Sequence, residues 1–174
     1  MSNILKIITV ILLSLCLNAN RSFAQKFSKH DIKSAFIHNI IRFVKWPNEK
    51  STIKLCIIGQ TEFTRTLKQN LENQNIDNKN IEVFYFTTAE NYTNSDIVLI
   101  ANDKSIDPVE ILREIKNYSI LSIGETDSFC ENGGIINFIE GNNGNYFFEI
   151  NQSQAIKEKI EISSKLLTLA IKII

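Results

Sequence analysis

Between residues 32 and 44 the apolar positions fall three or four apart: Ile32, Ala35, Phe36, Ile40, Phe43 and Val44. That spacing predicts an amphipathic helix with these six on its buried stripe. Lys33, Asn39, Arg42 and Lys45 fall mostly off it. Upstream, Ser28-x-x-Asp31 has the form of a capping box. Downstream, Pro47 disfavours helical geometry at Trp46, so the helix stops there. The run I-K-L-C-I-I-G at 53–59 is short, rich in β-branched residues and closed by glycine, which predicts a buried, parallel strand. Phe63, Leu67 and Leu71 then recur at every fourth position and predict a helix over 61–71. The polar, Asn-rich segment 72–80 reads as a loop.

Apolar runs at 81–86, 97–101 and 119–124 predict three more strands. Asp107-Pro108-Val109-Glu110 predicts a helix start before the last of them: Asp caps, Pro holds the first helical position, and Glu lies in the first turn. Strands interleaved with helices imply βαβ crossovers and a mostly parallel sheet covered on both faces. The end of the chain differs. Runs at 135–139 and 146–150 flank the turn signal Asn143-Gly144 and predict an antiparallel hairpin. Asn151, with Gln154 three residues on, predicts the start of a final helix carrying Ala155, Ile156, Ile160, Leu166, Leu167, Leu169 and Ala170.

With 174 residues the chain has room for one domain, and no linker or internal repeat divides it. Residues 1–24 read as an export signal: Lys6 gives the positive start, residues 7–17 an apolar run too short to span a bilayer, and Ser22-Phe23-Ala24 a cleavage site. Cleavage after Ala24 is expected, leaving one domain over 25–174 exported to the periplasm. Cys16 is a poor lipid attachment site, because Leu15 precedes it where a small residue is required. Loss of Lys6 and Arg21 leaves 17 basic against 19 acidic residues, a net charge of −2. Neither that balance nor any local Lys/Arg cluster suits a nucleic-acid binder. No later apolar run reaches transmembrane length.

The chemistry-bearing residues are sparse. His30 and His38 are the only histidines, and no G-x-S-x-G elbow occurs. No set of His, Cys and carboxylates has metal-ligand spacing, and Gly133-Gly134 precedes a strand rather than a helix. No catalytic, metal or cofactor residue is therefore assigned. Cys56 and Cys130 form a disulfide, or Cys56 is packed in its strand as a small apolar residue. Arg42, Lys45, Trp46 and Glu149 are the candidate contacts for a partner or ligand. The three charges also read as solvated surface, and Trp46 as a lid on the core. Ligands of doubly wound sheets sit at the carboxyl ends of strands, here Gly59, Ala101 and Gly124.

Several blocks together resemble the YfiR/HmsC family of exported bacterial proteins. A-F-I-H-N at 35–39 and F-V-K-W-P at 43–47 are similar to its opening helix. The strand at 53–59 with Phe63 and Leu67 is similar to its next unit. G-G-I-I-N-F at 133–138, F-E-I-N at 148–151, Ala155 and I-S-S-K-L-L at 162–167 are similar to its end. The resemblance implies a Rossmann-like three-layer α/β sandwich in the periplasm, often a homodimer, with no catalytic residues to carry over. It also implies a non-enzymatic regulator that restrains the periplasmic part of an inner-membrane diguanylate cyclase, and so controls cyclic-di-GMP and biofilm formation. The alternative is a small-molecule sensing module that accompanies a sensor kinase. The chain departs from the family in carrying His38 where tyrosine is frequent. It also lacks a cysteine near Asp96 that would partner Cys56.

Overall fold

The structure, a computed structural model, describes residues 28–86, 92–142 and 144–174. The expected export segment and Asn143 lie outside them. Ser28 opens α1 (Lys29–Phe43) with the expected capping box: its hydroxyl accepts from the Asp31 amide at 3.1 Å, and the Asp31 carboxylate accepts from the Ser28 amide at 2.9 Å. The chain leaves the helix at Val44 in extended geometry and forms β1 (Val44–Lys45). The buried stripe is rotated from the expected one. Lys33, Ser34, Ile37, Ile40 and Ile41 face inward, whereas Ile32 and Ala35 are exposed. α1 is apolar on more than one side, and a buried carboxylate that pairs with Lys33 decides which side turns in.

β2 (Thr52–Ile58), α2 (Glu62–Leu71), β3 (Asn75–Ile76) and β4 (Lys79–Tyr85) follow. Phe63, Leu67 and Leu71 are all buried, as their spacing requires. The segment expected as a plain loop contains β3 and a two-residue turn. Asp77 and Asn78 both adopt positive φ, 50° and 66°, the geometry that reverses a hairpin and that Asn and Asp tolerate. β5 (Ile97–Ile100) is buried along its whole length. α3 (Pro108–Glu114) starts as expected, with the Asp107 carboxylate accepting from the Val109 amide at 2.9 Å and Pro108 at the first position. β6 (Leu121–Gly124) and the antiparallel pair β7 (Ile136–Glu140) and β8 (Tyr146–Ile150) complete the expected strands.

The final helix is not continuous. It is divided into α4 (Gln152–Lys157), β9 (Glu161–Ile162) and α5 (Ser164–Leu169), followed by β10 (Lys172–Ile173). α4 ends in a Schellman motif: Ile160 N–H donates to the Ala155 carbonyl, Lys159 N–H to that of Ile156, and Lys159 takes φ 59°. Ser163 then caps α5 by accepting from the Leu166 amide.

Eight strands form one sheet in the order β10-β8-β7-β6-β5-β2-β4-β3. The five central strands, β4-β2-β5-β6-β7, are parallel, and antiparallel neighbours flank them on both sides. β1 and β9 form a separate two-stranded ribbon. Alternate strand residues feed two cores. Leu55, Leu99 and Ile123 face α1 and α2, whereas Cys56, Val98 and Ile100 face α3. The molecule is thus helix layer, sheet, helix layer.

Candidate functional site

The parallel strands are doubly wound about β2. The chain steps from β2 outward to β4, then crosses to β5 on the other side of β2. α2, which follows β2, packs on one core, and α3, which follows β5, packs on the other. The connections therefore leave in opposite directions and open a crevice at the carboxyl ends of these strands, where open α/β sheets hold their ligands. A cavity of about 460 Å³ occupies that end. Gly59 ends β2 at its lip with φ 95°. A Cβ there would lie 2.8 Å from Ile106 Cδ1 and 3.0 Å from Ala101 Cβ, so only glycine lets the two turns nest. Tyr85 at the end of β4, Phe86 just after it and the buried Tyr92 supply an aromatic wall.

Among the described residues, four carboxylates lie around the cavity. Asp103 accepts from the Ser105 amide at 3.0 Å and its hydroxyl at 2.7 Å, which holds its carboxyl below the usual range. Asp107 is the α3 cap. Glu110 and Glu114 stand one helical turn apart on α3, exposed. Among the described residues no Lys, Arg or His lines the cavity. A negative, partly aromatic concavity can hold a ligand, but among the described residues it contains no nucleophile paired with a base.

On the other face of the same sheet end lies a buried ion pair, Lys33 with Glu125 just after β6. The Lys33 ammonium stands 3.9 Å from the Phe63 ring centroid and 5.2 Å from that of Tyr146. His30 stacks on Phe63 with its Nε2 3.5 Å from the Glu62 carboxylate. These contacts tie α1 to α2 and to the end of the sheet.

The residues singled out from sequence are scattered. Arg42 pairs with Asp77 at 3.3 Å and Lys45 with Glu161 at 2.9 Å, all exposed. Trp46 is half-buried on the first core, and its Nε1 donates to the Asp96 carbonyl at 3.1 Å. It borders a second cavity, of about 330 Å³, with Pro47, Lys50 and Tyr118. Glu149 is not a solvated charge. It is 5% exposed and accepts from the Asn137 side-chain amide at 3.1 Å, with Lys172 3.9 Å away. His38 is half-buried in a shallow groove between α1 and α2.

The disulfide reading is also corrected. Cys56 and Cys130 are free, buried thiols. Cys56 is on β2, whereas Cys130 lies against the carbonyls of Ile135 and Glu149 beside β7 and β8. β2 and β7 are three strand positions apart, roughly 14 Å, and a bridge spans about half that between Cα atoms. Of the strand ends expected to hold a ligand, Gly59 lines the first cavity and Ala101 is buried against it. Gly124 instead packs on Phe129, whose ring would meet an added Cβ at 2.3 Å. The acidic rim went unnoticed because its four residues lie in a loop, at a cap and on an exposed helix face. The four-residue spacing of Glu110 and Glu114 was the one available signal.

A family model described as YfiR/HmsC-like matches residues 30–171. The fold is similar to that of a conserved domain protein from Vibrio cholerae O1 biovar El Tor, with 12% identity and a TM-score of 0.59, over 85% of this chain and 61% of that one. It is also similar to an ABC domain from Streptococcus pneumoniae, solved in complex with L-Trp, with 15% identity and a TM-score of 0.58, over 79% of this chain and 59% of that one. The chain spans about three fifths of the length of each.

Proposed function

The chain belongs to the YfiR/HmsC-like family, and from that premise we propose that it is a non-enzymatic periplasmic regulator of cyclic-di-GMP signalling. On this reading residues 1–24 are removed on export and residues 25–174 act as one domain, alone or as a homodimer. The domain binds the periplasmic part of an inner-membrane diguanylate cyclase and holds it inactive. The observation that carries the reading is the family match across most of the chain. Among the described residues no helix is long and apolar enough to cross a membrane, which suits a regulator that reaches its partner from outside the bilayer. Arg42, Lys45 and Trp46 remain the proposed contacts. The two surface ion pairs there are worth about 0–1 kcal/mol each and exchange readily for a partner's charges. Deleting the gene should raise cellular cyclic-di-GMP, and the exported chain should restore it while a chain lacking residues 1–24 should not. Unchanged cyclic-di-GMP on deletion would refute the reading.

The crevice cavity supports a second reading, a small-molecule sensor working with a sensor kinase or cyclase. A thermal-shift screen against periplasmic metabolites tests it, and a flat screen would count against it.

A further inference from the structure

We infer that the cavity at the carboxyl ends of β2, β4 and β5 takes an organic cation, a primary or quaternary ammonium on an apolar stem; this rests on the ligand-sensor reading above. The cavity volume, about 460 Å³, is that of a small-molecule site. Its wall is apolar in a specific way. The Phe86 and Tyr92 rings stack with centroids 5.0 Å apart and planes 16° apart, and Phe86 remains 37% exposed. A desolvated ammonium beside such rings is attracted by their faces. Its charge is uniform: Asp103, Asp107, Glu110 and Glu114 line it, no basic side chain does, and none of the four is in an ion pair among the described residues.

The distribution of that charge selects the kind of cation. Among the described residues no three of His, Cys, Asp and Glu are grouped closely enough to hold a metal ion. The carboxylates are spread around a wide opening and two are occupied in capping Ser105 and Val109. Spread charge around a hollow with an aromatic wall suits a large, weakly hydrated cation, and repels a carboxylate or phosphate.

The test is an NMR titration of the purified protein with four probes: phenethylammonium, tetraethylammonium, phenethyl alcohol and phenylacetate, with calcium chloride as a fifth. The two ammonium probes should shift the amides of Gly59, Phe86 and Asp103, and phenylacetate should not. Glu110→Gln with Glu114→Gln should weaken ammonium binding about tenfold. Both side chains are exposed, so the fold survives the change. Phe86→Leu should weaken it further. Equal binding of phenethyl alcohol and phenylacetate at these amides would overturn the cation assignment and leave the ligand reading standing. A response to calcium alone would overturn it in favour of a metal. No response to any probe would overturn both.

Discussion

Burial pushes the thiols of Cys56 and Cys130 up to about 12 from an ordinary 9.0, and nearby Glu149 adds to the shift at Cys130. Folding therefore keeps protons that the unfolded chain releases. The contribution is whole below pH 9 and is lost as pH rises from 9 towards 12. The melting temperature should fall over that range less steeply in a Cys56→Ala, Cys130→Ala variant than in the parent. Both thiols should resist a maleimide in the native protein and react in denaturant. Lys33 is a second buried charge, and its variants behave differently in pairs. Lys33→Met leaves Glu125 buried without its partner and should cost about 3–5 kcal/mol in denaturant unfolding, with most of the loss recovered by adding Glu125→Leu. These residues also mark what a sequence can reveal. The fourfold spacing of Phe63, Leu67 and Leu71 announces their burial, since one helix face is set by local geometry. Lys33 and Glu149 announce nothing, because their partners, Glu125 and Asn137, are 92 and 12 positions away in the chain or across a strand pair. The acidic rim of the cavity is local, all within residues 103–114, but its meeting with Gly59 and the aromatic wall of Tyr85, Phe86 and Tyr92 is made by the sheet and not by spacing.

Elements with their own punctuation were readable. Ser28, Asp107 and Asn151 each cap the helix that follows them, and Gly144 turns the β7–β8 hairpin with φ 71°. Breaks without such a residue were not. α4 is closed two residues past its end by Lys159, an αL position filled by a lysine, so the expected helix ran on past it. Lys159→Gly should relieve the strain and raise stability by about 1 kcal/mol. Ser28→Ala should lower it by about 1 kcal/mol through the lost cap of α1. Equal and unchanged unfolding midpoints for both variants would contradict these assignments. The β3–β4 turn was missed likewise, since Asp77 and Asn78 do the work that Asn-Gly would advertise.

At the scale of the whole molecule the sheet orders the stability. β2, β5 and β6 are covered on both faces, and β10 is a two-residue edge with Ile171 and Ile173 exposed. Amides of β2 and β5 should exchange with solvent slowest and those of β10 fastest, as read by hydrogen exchange. Leu99→Ala, in the middle of this core, should cost about 2–5 kcal/mol. Comparable exchange at Ile97–Ile100 and at Lys172–Ile173 would contradict the central position of β5. The parallel order itself was legible at β2–α2–β4 and β5–α3–β6, where the crossover leaves a strand run, a helix run and a second strand run in series. The edge strand β10 was not, because two residues carry no period.

The β1–β9 ribbon joins Val44 to Ile162 and Lys45 to Glu161. The first described helix, α1, is therefore clasped at its end by a segment made more than a hundred residues later. Until that segment arrives, Val44 and Lys45 have no strand partner and the Phe43 carbonyl lacks the Ser163 amide it accepts from, so a nascent or threading chain stays unfinished at the end of α1 until residue 163 has emerged. Truncation just before residue 161 would leave a protein whose beginning, not its end, comes loose.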